Sequence, residues 1–220
     1  MRTVIFDLDG TLADTSGDLI AAANACFVAR GDGPQLDPAT DAGTALRGGR
    51  AMLTLGLERI DALSVEDVDR WYPVLLEEYG KAIATHTVLY PGALAAVTKL
   101  LEAGYKVGIC TNKPEGLAEQ LLQALGIRSH FASLIGADTL TTRKPDAAPY
   151  VAAVEQAGGA VAQSCLIGDT VTDRNTARAA GVPCVLVTFG PSGGDMAALD
   201  PEALIGHFDE LAGVVTRLIG

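Results

Sequence analysis

Residues 2–11 read RTVIFDLDGT. The run over 2–8 is β-branched and aromatic, as a strand buried on both faces would be. It breaks into two acids, a glycine and a hydroxyl, which predicts Asp7 and Asp9 at the carboxyl end of a strand. Gly10 lets the backbone turn sharply beyond it. Residues 14–88 then change style. They are rich in Ala, Leu and acids at helical spacing, as in Leu19, Ile20, Ala23 and Phe27, then Met52, Leu53, Leu57 and Ile60, then Val68, Trp71, Leu75 and Tyr79. Turn chemistry interrupts this block at 31–38 and 47–49.

From Tyr90-Pro91-Gly92 onward, helix and strand alternate. The pattern predicts helices over 93–103, 115–125, 146–156, 172–180 and 209–218. Strands are expected over 106–110, 133–136, 165–168 and 184–188, with a last one over 203–205. Strands alternating with helices of this length imply βαβ crossovers and a parallel sheet covered on both faces. The fold class expected is therefore α/β, a Rossmann-like parallel sheet core with a small all-helical cap inserted after the first strand. Residues 1–13 and 89–220 form the core and 14–88 the cap.

The whole chain, 220 residues with 49% hydrophobic and 20% charged, suits a globular protein. Sixteen basic residues against 27 acidic ones give a net charge of −11. That balance repels phosphate backbones and anionic lipid, so no nucleic-acid or membrane partner is expected. No apolar run reaches the length of a membrane span. The acids that directly follow the first apolar run argue against a signal peptide. Cys26, Cys110, Cys165 and Cys184 are widely spaced and make no C-x-x-C pair, which fits reduced core residues of a cytoplasmic protein.

Open parallel sheets carry their functional residues at the carboxyl ends of the strands. Asp7 to Thr11 follow the first strand, Thr111-Asn112-Lys113 the second, and Gly168-Asp169-Thr170 the fourth, with Asp173 four residues beyond Asp169. Arg143-Lys144-Pro145 lies between the third and fourth. Asp7, Asp9, Asp169 and Asp173 cannot crowd together without a cation, and a hard divalent ion with oxygen ligands, Mg²⁺, answers that need. Lys144 and Thr111 offer a phosphate a point charge and a hydroxyl donor. The constellation reads as phosphoryl transfer through an aspartate nucleophile, with a small phosphorylated metabolite as the partner.

The stretches DLDGT (7–11), Thr111-Asn112, Lys144-Pro145 and Gly168-Asp169-Thr170 with Asp173 resemble, in order and strand context, the four motifs of the haloacid dehalogenase-like hydrolases. FDLDGTLADT, TNKP and KPDAAPY are most similar to the phosphoglycolate phosphatase group. The resemblance implies that Asp7 attacks phosphorus and that Asp9 is general acid, then general base. It also implies that Thr111 and the backbone at Asn112, with Leu8 and Gly10, bind phosphate beside Lys144. Mg²⁺ would sit on the Asp7 carboxylate, the Asp9 carbonyl oxygen and Asp169, with Asp173 a direct or water-mediated ligand. Where family members often carry Ser-x-x-Asn-Asp after the Gly-Asp, Thr170-Val171-Thr172-Asp173 stands here.

In the cap, Arg47 and Arg50 flank the one polar, glycine-bearing turn and are candidates to bind a substrate carboxylate. The cap's two connections to the core are candidate hinges for opening and closing. Lys113, His86, His130 and His207 read as surface or packing residues, Lys113 as a solvent-facing flank. A sugar phosphomutase would use the same acids. A receiver-type phosphorylation switch would need neither Asp9 as an acid–base group nor the helical insertion, and a dehalogenase would need neither Asp9 nor a metal.

Overall fold

The computed structural model describes residues 1–191 and 193–220. Six strands form one parallel sheet: β1 (Thr3–Phe6), β4 (Lys106–Cys110), β5 (Ser133–Ile135), β6 (Ser164–Gly168), β7 (Cys184–Val187) and β8 (Ala203–Ile205). Their spatial order is β5-β4-β1-β6-β7-β8. β1 is therefore central, every one of its residues is buried, and the chain reverses direction across the sheet between β1 and β6. Such a reversal opens a crevice at the carboxyl ends of the two strands, where ligands bind in open α/β sheets. The in-register pairs Phe6↔Ile109 and Phe6↔Ile167 bring the ends of β4, β1 and β6 level. The residues just beyond these three strands thus share one edge.

Helices α5 (Ala93–Glu102), α6 (Glu115–Ala124), α7 (Ala147–Gln156), α8 (Val171–Ala180) and α9 (Leu211–Ile219) connect or follow the strands. Tyr150, Ala153 and Val154 of α7 pack with Ile5, Cys110, Leu166 and Cys184 from four strands. The buried Tyr150 hydroxyl meets Ser164 Oγ at 2.7 Å, so this aromatic brings its polar tip into the core with a partner. All four cysteines are buried and free. No helix among the described residues is long and apolar enough to cross a membrane.

The chain divides into two compact units, one made of Met1–Asp14 with Leu89–Gly220 and the other of Thr15–Val88. The second contains α1 (Ser16–Arg30), α2 (Pro38–Ala45), α3 (Gly49–Arg59) and α4 (Val65–Lys81). Two short strands, β2 (Ala13–Asp14) and β3 (Val88–Leu89), pair where the chain leaves and rejoins the larger unit. The helical spacing of 14–88 gives no sign of that pairing. Helix α2 starts inside a stretch that reads as turn: the Asp37 side chain accepts from the Ala39 amide and Pro38 fills the first helical position, both common helix-start devices.

Candidate active site

Asp7 follows directly on β1. Its Oδ1 accepts from the Leu8 amide at 2.8 Å and its Oδ2 lies 3.0 Å from Lys144 Nζ. Beyond it the Leu8 carbonyl accepts from the amides of Leu12 and Ala13, closing a tight turn through Gly10, whose φ of 80° suits glycine. The turn brings Thr11 back, and its hydroxyl donates to Asp169 Oδ1 at 2.9 Å.

Lys144 comes from the loop between β5 and α7 and is buried against two acids, Asp7 and Asp173, the latter at 2.6 Å. Burial works against its charge, yet Asp173 and Asp7 together outweigh that and raise its pKa above the ordinary lysine value. Asn112 supports Lys144 from the side, its Nδ2 donating to the Lys144 carbonyl at 3.0 Å. Thr111 is buried at the end of β4 and its Oγ1 accepts from the Lys113 amide.

Asp169 follows directly on β6 and Asp173 lies in the first turn of α8. The spacing Thr170-x-x-Asp173 is a capping box: the Thr170 side chain accepts from the Asp173 amide, and Asp173 accepts in return from the Thr170 amide. Asp173 Oδ2 also takes the Thr170 hydroxyl at 2.6 Å, while Oδ1 holds Lys144. One carboxylate thus ties the helix start to the lysine. Gly168 makes room for it, since a Cβ there would stand 2.4 Å from the Asp173 side chain.

Ligand oxygens of Asp7, Asp169 and Asp173 lie within 4.8 Å of one another. Crowding acids in a buried place disfavours their charged forms. Burial first, then Asp173 and Asp9, raise the Asp7 carboxyl to about 6, although Lys144 opposes the shift. Burial, Asp173 and Asp7 raise Asp169 well above the usual carboxylate range. Asp169 Oδ2 is buried with no hydrogen-bond partner among the described residues. A buried acceptor left so is destabilising unless a ligand completes it.

The sequence reading missed Lys113. It is not a solvent-facing flank: it is 7% exposed, and its Nζ lies 2.7 Å from Asp9 Oδ1. The reason is long-range, because a loop lysine turns inward when a carboxylate distant in sequence awaits it. The available signal was the excess of acids over lysines at this edge. His86 and His207 are exposed, and His207 starts the short 3-10 turn before α9. Arg47 and Arg50 belong to the helical unit and are exposed. Arg47 donates to Thr44 Oγ1 at 3.0 Å, and Arg50 pairs with Asp69 at 2.5 Å while stacking over the Tyr72 ring.

Residues 4–187 match the haloacid dehalogenase-like hydrolase family. A phosphoglycolate phosphatase of Mesorhizobium japonicum is 38% identical over 216 residues, covering 94% of this chain and 92% of the relative. One of Rhodospirillum rubrum is 37% identical over 215 residues, covering 96% and 89%. Among solved structures, that of a predicted phosphoglycolate phosphatase from Haemophilus somnus is similar with a TM-score of 0.85 at 23% identity, covering 97% of each chain. At that identity the likeness shows the fold alone. The length of the family match and the identity to these relatives agree with the strand-end acids and lysine: the chain belongs to the haloacid dehalogenase-like hydrolase family.

Proposed function

We propose that the protein is a Mg²⁺-dependent phosphatase that hydrolyses small phosphate monoesters through an aspartyl phosphate on Asp7, with 2-phosphoglycolate as its substrate. Membership of a hydrolase family and relatives named phosphoglycolate phosphatase support the reaction class and the substrate. The observation that carries the chemistry is the acid cluster with its unpartnered Asp169 Oδ2. Its donors are all oxygens, which fits a hard divalent ion. Lys144 answers only part of the charge of Asp7, Asp169 and Asp173, and one divalent cation closes the formal balance.

The carboxylates of Asp7 and Asp169 and the carbonyl oxygen of Asp9 would hold the ion, with Asp173 a direct or water-mediated ligand. When bound, it offsets the charge of these acids and of the phosphoryl oxygens. The chain's own groups do the rest. An Asp7 oxygen forms a bond to phosphorus as the ester bond to the leaving oxygen breaks, and Asp9 gives its proton to that oxygen. Water then attacks the phosphorus of the aspartyl phosphate. Asp9, now a base, takes a proton from that water as it attacks, and the Asp7 carboxylate is released with inorganic phosphate. Lys144, fixed by Asp173 and Asn112, offsets charge on Asp7 and the phosphoryl group, while the Thr111 hydroxyl and the loop amides hold phosphate oxygens. The four buried free thiols suit a cytoplasmic location.

Phosphate release from a panel of phosphorylated metabolites, with Mg²⁺ and after chelation, tests this reading. Preference for 2-phosphoglycolate, lost on chelation and restored by Mg²⁺, is the result expected. Full activity after exhaustive chelation contradicts the metal, and preference for another ester contradicts the substrate.

A further inference from the structure

We propose that Lys113 is the specificity-determining residue of this site, the cation that receives a carboxylate on the leaving-group side of the substrate. The assignment rests on the phosphatase reading above and extends it to a residue and a substrate class: phosphate esters of small hydroxy acids.

The two buried lysines of the sheet edge divide the site between them. Lys144 touches the nucleophile, 3.0 Å from Asp7 Oδ2, and so serves the phosphoryl end. Lys113 touches the other acid, 2.7 Å from Asp9 Oδ1. Asp9 serves the leaving oxygen, so an ammonium joined to the same carboxylate stands beside the leaving group. Charge on the phosphoryl group is already answered by Lys144, and phosphoryl transfer leaves no task there for a second lysine. In a phosphorylated 2-hydroxy acid the carboxylate carbon is two bonds from the ester oxygen, which puts its charge next to whatever flanks Asp9. An ammonium is a point charge that attracts any anion within a few ångströms, with no demand for planar geometry.

The lysine is also presented from a fixed backbone. Its amide donates to Thr111 Oγ1 at 3.2 Å, and its carbonyl accepts from the Ala137 amide at 2.9 Å. Gly136 lets these two loops touch, since a Cβ there would stand 2.4 Å from the Glu115 nitrogen. The Glu115 amide in turn donates to Asp138 Oδ1 at 2.8 Å. A clamp from the loop after β5 thus holds the loop after β4, as a preorganised recognition group requires. In a chain of net charge −11, a buried cation at this edge is a concentrated exception.

The test is kcat/KM for three esters of similar size: 2-phosphoglycolate, ethyl phosphate and phosphoethanolamine. They are compared in wild type, Lys113→Gln, which keeps a donor for Asp9 without charge, and Lys113→Arg, which keeps the charge. Thermal melting checks that each variant is folded. In Lys113→Gln, 2-phosphoglycolate is expected to lose about 10- to 100-fold more than ethyl phosphate. Lys113→Arg should retain the preference for the carboxylate. Equal losses on all three esters in Lys113→Gln would make Lys113 a positioning residue for Asp9 alone and overturn the proposal, as would no loss. If Lys113→Gln does not fold, Lys113→Arg decides, and loss of its carboxylate preference refutes a purely charge-based contact. Wild-type enzyme that releases phosphate without preferring 2-phosphoglycolate contradicts the substrate reading itself, and the Lys113 assignment with it.

Discussion

Asp18 in the helical unit and Asp169 at the sheet edge are both buried, and they use the same side chain in opposite ways. Asp18 accepts from the amides of His86 and Thr87 and from the Thr87 hydroxyl, at 2.7–3.1 Å. Asp41, in the same unit, takes both nitrogens of the Arg59 fork at 2.7 and 2.8 Å and the Asp37 amide at 2.7 Å. Arg59 foremost holds its carboxyl down at about 2. At the sheet edge the shifts run the other way, with Asp7 raised to about 6, Asp169 raised well above the usual carboxylate range, and one Asp169 oxygen left without a partner among the described residues. A carboxylate kept for stability gathers donors until its charge is favourable. A buried cluster of acids whose mutual repulsion outweighs its donors is destabilising alone and becomes favourable when a cation and an anionic substrate complete it.

Asp7→Asn is expected to have the largest effect. We expect turnover to fall by at least about 10⁴-fold, because the amide keeps the shape and removes the nucleophile. The metal-free melting temperature should stay level or rise, since one acid leaves a crowded cluster. Circular dichroism melts alongside phosphate release read both effects. A large loss of Tm would mean that Asp7 is a stabilising acid of the Asp18 kind.

A second test varies pH and metal together. The raised pKa values mean that the folded, metal-free protein binds protons more tightly than the unfolded chain. The stability tied to Asp7 is complete below the ordinary aspartate value near 4 and is lost as pH rises through about 6, and Asp169, raised as well, acts in the same direction. Mg²⁺ should therefore raise Tm more at about pH 7.5 than at about pH 5. An equal shift at both would show that the cation does not act on these acids.

Asp41 supplies the opposite sign. Its lowered pKa gives stability that is present above the unfolded value and disappears as pH falls through about 2. Asp41→Asn should lower stability by about 1–2 kcal/mol in denaturant titrations, near the lower end for charged hydrogen bonds because Arg59 is partly exposed. Activity per folded molecule should hold within about twofold.

The smallest effect is expected from the helical unit's arginines. Changing Arg47 and Arg50 together to Ala should lower kcat/KM for 2-phosphoglycolate by about two- to fivefold, and for an uncharged aryl phosphate less. Arg50 already pairs with Asp69 and stacks on Tyr72, which limits what it has left to offer. A loss as large as that from Lys113→Gln would move carboxylate recognition to this unit.

How much of the molecule is legible in its sequence depends on range. A strand such as Thr3–Phe6 declares itself in four consecutive residues, and the acid after it inherits its place at the edge. The same holds for Thr111 after Cys110 and for Asp169 after Gly168, because parallel strands in register deliver their next residues together. The Thr170–Asp173 capping box is equally local. Lys113 escapes such a reading because its orientation depends on Asp9, on another strand end, and no nearby residue reports it. β3 at Val88–Leu89 is hidden for the same reason, its partner being Ala13–Asp14.

Trapping the phosphoenzyme shows which group bonds to phosphorus. The enzyme is mixed with excess phosphorus-32-labelled substrate in Mg²⁺ and quenched in acid within one turnover. The acyl phosphate is then reduced with borohydride and the modified peptide mapped. Label that survives acid, with reduction located at Asp7 and absent in Asp7→Asn, is the result predicted. Turnover with no protein-bound phosphate at any quench time, or modification at another residue, would contradict Asp7 as the group that bonds to phosphorus.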